Sequence, residues 1–110
     1  MSKEHLYSQH FQDHFLAHAL RDKVFLKEVS PDLEPDYFPS EHAQRIIRIL
    51  KDFHSKSGSA PGDLTNDIID KAATKASLSE DTVRAIKAYA GNLLAIELQN
   101  RAYLLSEWTN

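Results

Sequence analysis

The 110-residue sequence predicts an all-α fold, a compact bundle of about five helices. Apolar residues recur at three- and four-residue steps along most of the chain, which is the period of an amphipathic helix. No segment alternates apolar and polar residues between hairpin turns, and no internal repeat is present. A chain of this length can bury enough surface for one hydrophobic core, so we expect a single domain that needs no disulfide or metal.

The first predicted helix covers residues 3–20, where aromatic residues recur at i+4 spacing beside two leucines. A short second helix is expected over residues 22–29. It ends at Ser30, because the following Pro31 disfavours the α conformation there. The two helices are therefore expected to follow each other with almost no connecting loop.

An acidic loop is predicted between residues 30 and 40. Three prolines in this segment forbid a regular helix, while Tyr37 and Phe38 provide apolar anchors. The carboxylates of the loop resemble a cation site only in composition, because an EF-hand needs a fixed ligand order and a central glycine. We therefore expect an ordered, solvated loop. Its acidic residues are Asp32, Glu34 and Asp36.

Two further helices have recognisable ends. Ser40 is a suitable N-cap for the third helix, the clearest amphipathic segment, which ends near Gly58. Asp63 is expected to cap a fourth helix that ends near Ala76. The buried stripe predicted for that fourth helix is Leu64, Ile68, Ile69, Ala72, Ala73 and Ala76.

The last predicted helix is capped by Ser79, and the Gly-Asn pair at 91–92 bends or interrupts it. Beyond that pair, apolar residues keep helical spacing as far as Trp108 with no capping signal. We therefore expect residues 1–92 to form the domain. Residues 93–110 are expected to form a last helix that begins a linker to a C-terminal domain absent from this sequence.

Composition and charge exclude several classes of function. The net charge of -3 and a pI near 6.0 argue against a general nucleic-acid binder and favour a protein partner. The absence of cysteine excludes disulfides, thiolate zinc sites and cysteine nucleophiles. No apolar run approaches the length of a membrane span, and no signal-peptide core follows the N-terminus. We therefore expect a cytoplasmic protein with no membrane partner.

Three histidines are the strongest candidates for metal chemistry. His10, His14 and His18 recur at i+4 spacing along the first helix. This spacing could offer two imidazoles to one ion, but the H-E-x-x-H pattern is absent and no other residue obviously supplies the third ligand that zinc needs. We therefore expect structural or surface histidines and no metal. The sequence also contains no G-x-x-x-x-G-K-[ST], G-x-G-x-x-G or G-x-S-x-G motif. We therefore expect no cofactor, no ATPase activity and no catalytic residue in this chain.

Five motifs occur in a fixed order along the chain: FLAHALRD at 15–22, DYF at 36–38, IIRIL at 46–50, SGSAPGDL at 57–64 and QNRA at 99–102. This order resembles the N-terminal domain of DnaB-type replicative DNA helicases. In that family a Leu-rich run followed by Asp ends the first helix, an aromatic anchor precedes the long third helix, and a P-x-D-L turn opens the fourth. The Tyr-Phe order of the second motif and the Q-x-R-A run are similar to the phage branch.

The resemblance implies a non-catalytic collar domain at one end of a hexameric ring. Such a domain assembles through pairs of subunits into a dimer or higher oligomer, and it offers surfaces to primase or to a helicase loader. ATP hydrolysis and DNA contact would belong to a separate C-terminal RecA-like domain of an ATP-dependent helicase.

The last helix is the best candidate for an interface between copies. Its apolar side chains cannot all reach a small core, so we expect them to contact a neighbouring subunit, with Trp108 as the anchor. The alternative is that Trp108 folds back on the first helix. The basic face of the third helix is a second candidate surface. The candidate interface residues are Leu98, Arg101, Leu105, Trp108, Arg45 and Arg48.

Two competing hypotheses place the chain in other classes. In one, it is a standalone small helical DNA-binding or regulatory protein, whose basic face on the third helix contacts phosphates. That face consists of Arg45, Arg48, Lys51 and Lys56. In the other, it is a histidine-based metallohydrolase, which the missing third ligand disfavours.

Overall fold

Within residues 7–109, which the computed structural model describes, the chain forms six α-helices and no β-strand. This confirms the predicted all-α class, with one helix more than expected. A Cα radius of gyration of 13.1 Å is that of a compact domain of this size. None of the helices in this range combines the length and the apolar character that crossing a bilayer requires. The helices are α1 (Gln9–Arg21), α2 (Lys23–Val29), α3 (Glu41–Ser57), α4 (Thr65–Ala76), α5 (Glu80–Leu94) and α6 (Arg101–Thr109).

The ends of α3 and the start of α5 follow the local sequence signals. The hydroxyl oxygens of Ser40 and Ser79 each accept a hydrogen bond from the backbone amide three residues later, at 3.3 and 3.2 Å. Both predicted N-caps are thereby confirmed. α3 ends at Gly58, whose φ of 69° lies in the left-handed region that glycine adopts without strain.

The first two helices meet at a single residue. α1 begins at Gln9, after the cap Ser8, so the start predicted at residues 3–6 lies outside the described residues. The backbone N–H of Asp22 donates to the carbonyl of His18 at 2.7 Å and ends α1. The Asp22 carboxylate then caps α2. Only Asp22 therefore separates α1 from α2, in line with the expected near-absence of a connecting loop.

The acidic loop contains two short 3₁₀ turns, Ser30–Asp32 and Pro35–Tyr37. Phe38 is buried as predicted, whereas Tyr37 is half-buried. Leu33, which the sequence interpretation left out of the anchors, is fully buried. The loop is therefore ordered, and its three carboxylate side chains are exposed to solvent.

The predicted start of α4 was wrong. Asp63 lies exposed in a 3₁₀ turn (Gly62–Leu64), and α4 begins at Thr65 with no side-chain cap. Gly62 has a positive φ of 55°, and Leu64, the residue before α4, has φ -88° and ψ 3°. No extended residue therefore precedes the helix, as an N-cap carboxylate would require. The predicted stripe is also only partly buried, because Leu64 is 54% exposed and Ala76 is exposed.

The predicted last helix is divided into α5 and α6. The Gly-Asn pair at 91–92 remains helical, and the break lies over residues 95–100. The Arg21 side chain donates hydrogen bonds to the carbonyls of Leu93, at 3.3 Å, and Ile96. These bonds satisfy carbonyls at the C-terminus of α5 and hold the chain in its turn. Asn100, with a φ of 62°, then redirects the backbone into α6.

The hydrophobic core is built around α1, which packs against α2, α3, α5 and α6. The Phe15 ring lies 5.1 Å from Phe25, 6.1 Å from Phe38 and 4.5 Å from Trp108, between ring centroids. Each of these rings comes from a different segment of the chain. Residues 93–109 therefore contribute to the same core as the predicted 1–92 domain.

Candidate functional site

Trp108, the predicted interface anchor, is 2% exposed and lies in the core. Besides Phe15, its ring contacts Tyr7 and Tyr37, each with 5.9 Å between ring centroids. The structure therefore has the alternative arrangement, in which the terminal helix folds back on α1. Almost none of the Trp108 side chain is therefore accessible to a partner protein.

Of the other interface candidates on the terminal segment, the two leucines are only partly accessible and Arg101 is exposed. Leu98 and Leu105 are half-buried and pack against the core. Arg101 Nε lies 3.8 Å from Asp22 Oδ2, so the guanidinium is directed toward the junction of α1 and α2. Tyr103, which the sequence interpretation did not single out, is 60% exposed. Among the α6 side chains that the structure describes, the exposed ones are Arg101, Ala102, Tyr103 and Ser106.

The predicted basic face of α3 does not form one surface. Lys51 is turned inward, and its Nζ donates to the carbonyl of Leu33 at 2.6 Å. Lys56 pairs with Asp52 at 3.1 Å. Arg45 is half-buried, and Arg48 is exposed. One of the four cations therefore binds the acidic loop, and another is paired with a carboxylate of its own helix.

The three histidines of α1 have different environments. His18 is buried, with Nδ1 3.1 Å from the carbonyl oxygen of His14 and its ring against Phe25. His10 is exposed, and its ring lies 4.4 Å from that of His14 at a tilt of 45°. Burial, together with the neighbouring His10 and His18, lowers the pKa of His14. Among residues 7–109, no group of three or more His, Asp or Glu side chains has a geometry that could hold a metal ion.

One partly buried polar cluster links α1 to α5. The Tyr89 hydroxyl donates to Asp13 Oδ1 at 2.9 Å, and Gln9 Nε2 donates to the same oxygen at 2.8 Å. Burial raises the pKa of the Tyr89 phenol well above its usual range, and the bond to the Asp13 carboxylate raises it further. The Tyr89 phenol therefore stays protonated, and its hydrogen bond to Asp13 holds α5 against α1.

A groove of about 580 Å³ with a mainly apolar lining lies between α3 and α4. Both helices pack against α5, and the groove lies between them. We call this feature the α3–α4 groove. The apolar side chains that line it are Ile49, Phe53, Ile68, Ala72 and Ala76, and the charged ones are Asp52, Lys56, Lys71 and Lys75.

The groove was not foreseen, although its apolar residues on α4 belong to the stripe predicted for the fourth helix. That stripe contains two rows that are offset around the helix axis. The row of Thr65, Ile69 and Ala73 is buried in the core, while Ile68 and Ala72 are half-buried and line the groove. The sequence signal for the groove is therefore an apolar stripe wider than one core-facing row.

A scan against protein-family models and searches of curated proteins and solved structures found no match to this chain. Function is therefore inferred from the ordered motifs, the terminal helix and the α3–α4 groove.

Proposed function

We propose that this chain is a non-catalytic assembly and docking domain, the N-terminal collar domain of a DnaB-type replicative helicase of the phage-like branch. Its partners are other copies of itself and a primase or helicase loader. DNA is contacted only by the RecA-like motor domain that the resemblance implies.

The observation that carries the proposal is that three of the motifs lie at the element boundaries expected for that family. The FLAHALRD run ends α1 and is closed by Asp22. Phe38 is buried just before α3, which is the longest helix in the described residues. The PGDL run at 61–64 forms the turn that opens α4. The motif lies at the start of α4 even though Asp63 does not cap that helix.

The surface of the domain also supports a docking role. The α3–α4 groove offers an apolar floor with a charged rim, and α6 exposes Tyr103. Apolar grooves and exposed aromatic side chains are typical of protein contacts. The competing DNA-binding hypothesis loses support from Lys51, which is occupied with the Leu33 carbonyl.

The proposal is tested by sedimentation of the chain over a concentration range of about a hundredfold, where a self-associating domain shows a rising mass. We expect weak self-association that Tyr103→Ser reduces. The matched control is Val24→Ser, since Val24 is a similarly exposed apolar residue on α2. Unchanged monomer mass at every concentration, together with duplex DNA binding that weakens steeply with salt, would support the DNA-binding regulator instead.

A further inference from the structure

We propose that the α3–α4 groove binds an acidic amphipathic helix of a partner protein. The inference rests on the proposed docking function and names the chemistry of the partner. Its test concerns the groove alone, so it can fail while the assignment to a helicase stands.

The dimensions of the groove fit a short helical segment. Its lining residues span Ile49 to Ser57 on α3 and Ile68 to Ala76 on α4. At 1.5 Å per helical residue, each wall is about 12 Å long, which is a little over two turns of a docked helix. The small methyl group of Ala72 leaves depth at the centre of the groove, and that of Ala76 leaves depth at its end. Leucine-sized side chains at i and i+4 of a partner helix could enter there.

The positive charge of the groove's rim indicates that the partner helix is acidic. Three lysines and one aspartate line the groove, a net charge of +2 on a chain whose total is -3. Lys56 is paired with Asp52, but Lys71 and Lys75 form no ion pair within residues 7–109. Asp67 lies one helical turn before Lys71 but forms no ion pair with it, and Asp70 is directed to Lys87 of α5 at 2.6 Å. The two unpaired ammonium groups on α4 thus face any occupant, and carboxylates complement them.

A second copy of the chain is disfavoured as the occupant by the same charges. If two copies met groove to groove around a two-fold axis, the lysine rims would face each other, because a two-fold interface uses the same patch on both subunits. Like charges placed opposite one another oppose association. A distinct protein with glutamate or aspartate beside its apolar stripe meets no such repulsion.

The test uses two synthetic helical peptides with the same leucine spacing, one flanked by glutamates and the other by lysines. Fluorescence anisotropy with this chain measures both affinities. We expect the acidic peptide to bind roughly tenfold more tightly, with a difference that shrinks at high salt. The double variant Lys71→Glu/Lys75→Glu should reverse the preference. The matched control Lys23→Glu/Lys27→Glu changes two exposed lysines of α2 and should leave both affinities unchanged.

A second variant separates loss of charge from loss of fold. Ala72→Leu adds volume to the floor of the groove and retains helix propensity. It should lower the affinity for the acidic peptide without altering the circular dichroism spectrum. Equal affinity for both peptides, no binding of either, or equal effects of the α2 and α4 variants would overturn the proposal. Self-association abolished by the α4 variant would also overturn it, since the groove would then hold a second copy.

Discussion

Asp22 links three helices through different atoms. Its backbone N–H closes α1, and its Oδ1 accepts from the amides of Val24 and Phe25 at 3.0 and 3.2 Å at the start of α2. Its Oδ2 lies near Arg101 at the start of α6. The capping bonds are short and satisfy amides that would otherwise lack partners, whereas the pair with Arg101 is long and partly exposed. The capping role is therefore the larger contribution to stability.

Replacing Asp22 by Ala should lower the free energy of unfolding by about 1 kcal/mol, because α2 loses its only side-chain cap. Urea denaturation followed by circular dichroism measures the change. Asp32→Ala is the control, since Asp32 is an exposed acid of the loop, and it should change the free energy by less than about 0.5 kcal/mol. Equal effects of the two substitutions would remove the capping explanation.

Tyr89 should make stability depend on pH in the alkaline range. The pKa of its phenol is higher in the folded chain than in the unfolded chain, so the folded state retains this proton more strongly. The stabilisation is complete below the unfolded pKa and declines as pH rises above about 10. Tyr89→Phe should flatten that decline and, near neutral pH, cost about 1 kcal/mol for the lost bond to Asp13.

Urea midpoints measured from neutral to alkaline pH test this prediction. Tyr103→Phe is the control, because Tyr103 is exposed and should leave the pH dependence unchanged. An identical alkaline decline in the Tyr89→Phe variant and in the unmodified chain would show that another group causes it.

At the scale of elements, the turn between α5 and α6 depends on a contact from α1. The carbonyls of Leu93 and Ile96 are bonded by the Arg21 side chain, which comes from the opposite end of the chain. No glycine or asparagine terminates α5 locally, and the Gly-Asn pair at 91–92 remains inside it. Backbone bonds from Ala95 and Ile96 close the last turn of α5, and the Arg21 side chain adds tertiary hydrogen bonds to them.

Arg21→Ala should lower the free energy of unfolding by about 2 kcal/mol, because two carbonyls lose a charged donor. It should also increase hydrogen exchange selectively at the C-terminus of α5 and in α6. Arg84→Ala is the control, since Arg84 is exposed and pairs only with Asp81 on its own helix, a contact worth less than about 0.5 kcal/mol. Uniform exchange changes across all helices would contradict this role.

Prediction from sequence succeeded where structure follows from local signals. The caps Ser40 and Ser79, the end of α3 at Gly58 and the all-α class were available from the residues themselves. An interruption of the last helix was expected at residues 91–92, but its position over residues 95–100 was not, because contacts from Arg21 hold the chain there. The α3–α4 groove also escaped prediction. Periodicity shows that both rows of α4 are apolar, but only packing decides which row faces the core.

At the scale of the whole molecule, Trp108 closes the core. Its ring contacts aromatic side chains from α1 and from the segment that precedes α3, so α6 completes the packing of the core. Interaction with partners then depends on surfaces that remain accessible. The α3–α4 groove and Tyr103 are two such surfaces.

Trp108 is the one tryptophan of the sequence, so its fluorescence reports directly on this burial. We expect short-wavelength emission and weak quenching by iodide at dilutions where the chain is monomeric, with a red shift on unfolding in urea. Trp108→Ala should cost about 3–5 kcal/mol, as expected for truncation of a large core side chain. Emission typical of a water-exposed indole that turns blue only at high concentration would instead identify Trp108 as an interface anchor.

The central claim, that this chain is the collar domain of a replicative helicase, is tested most directly by the coding sequence beyond codon 110. We predict that the reading frame continues into a RecA-like domain that contains G-x-x-x-x-G-K-[ST], the phosphate-binding loop of such motors. A stop codon after Asn110, or a following domain without that motif, would contradict the claim and leave the standalone regulator as the better account.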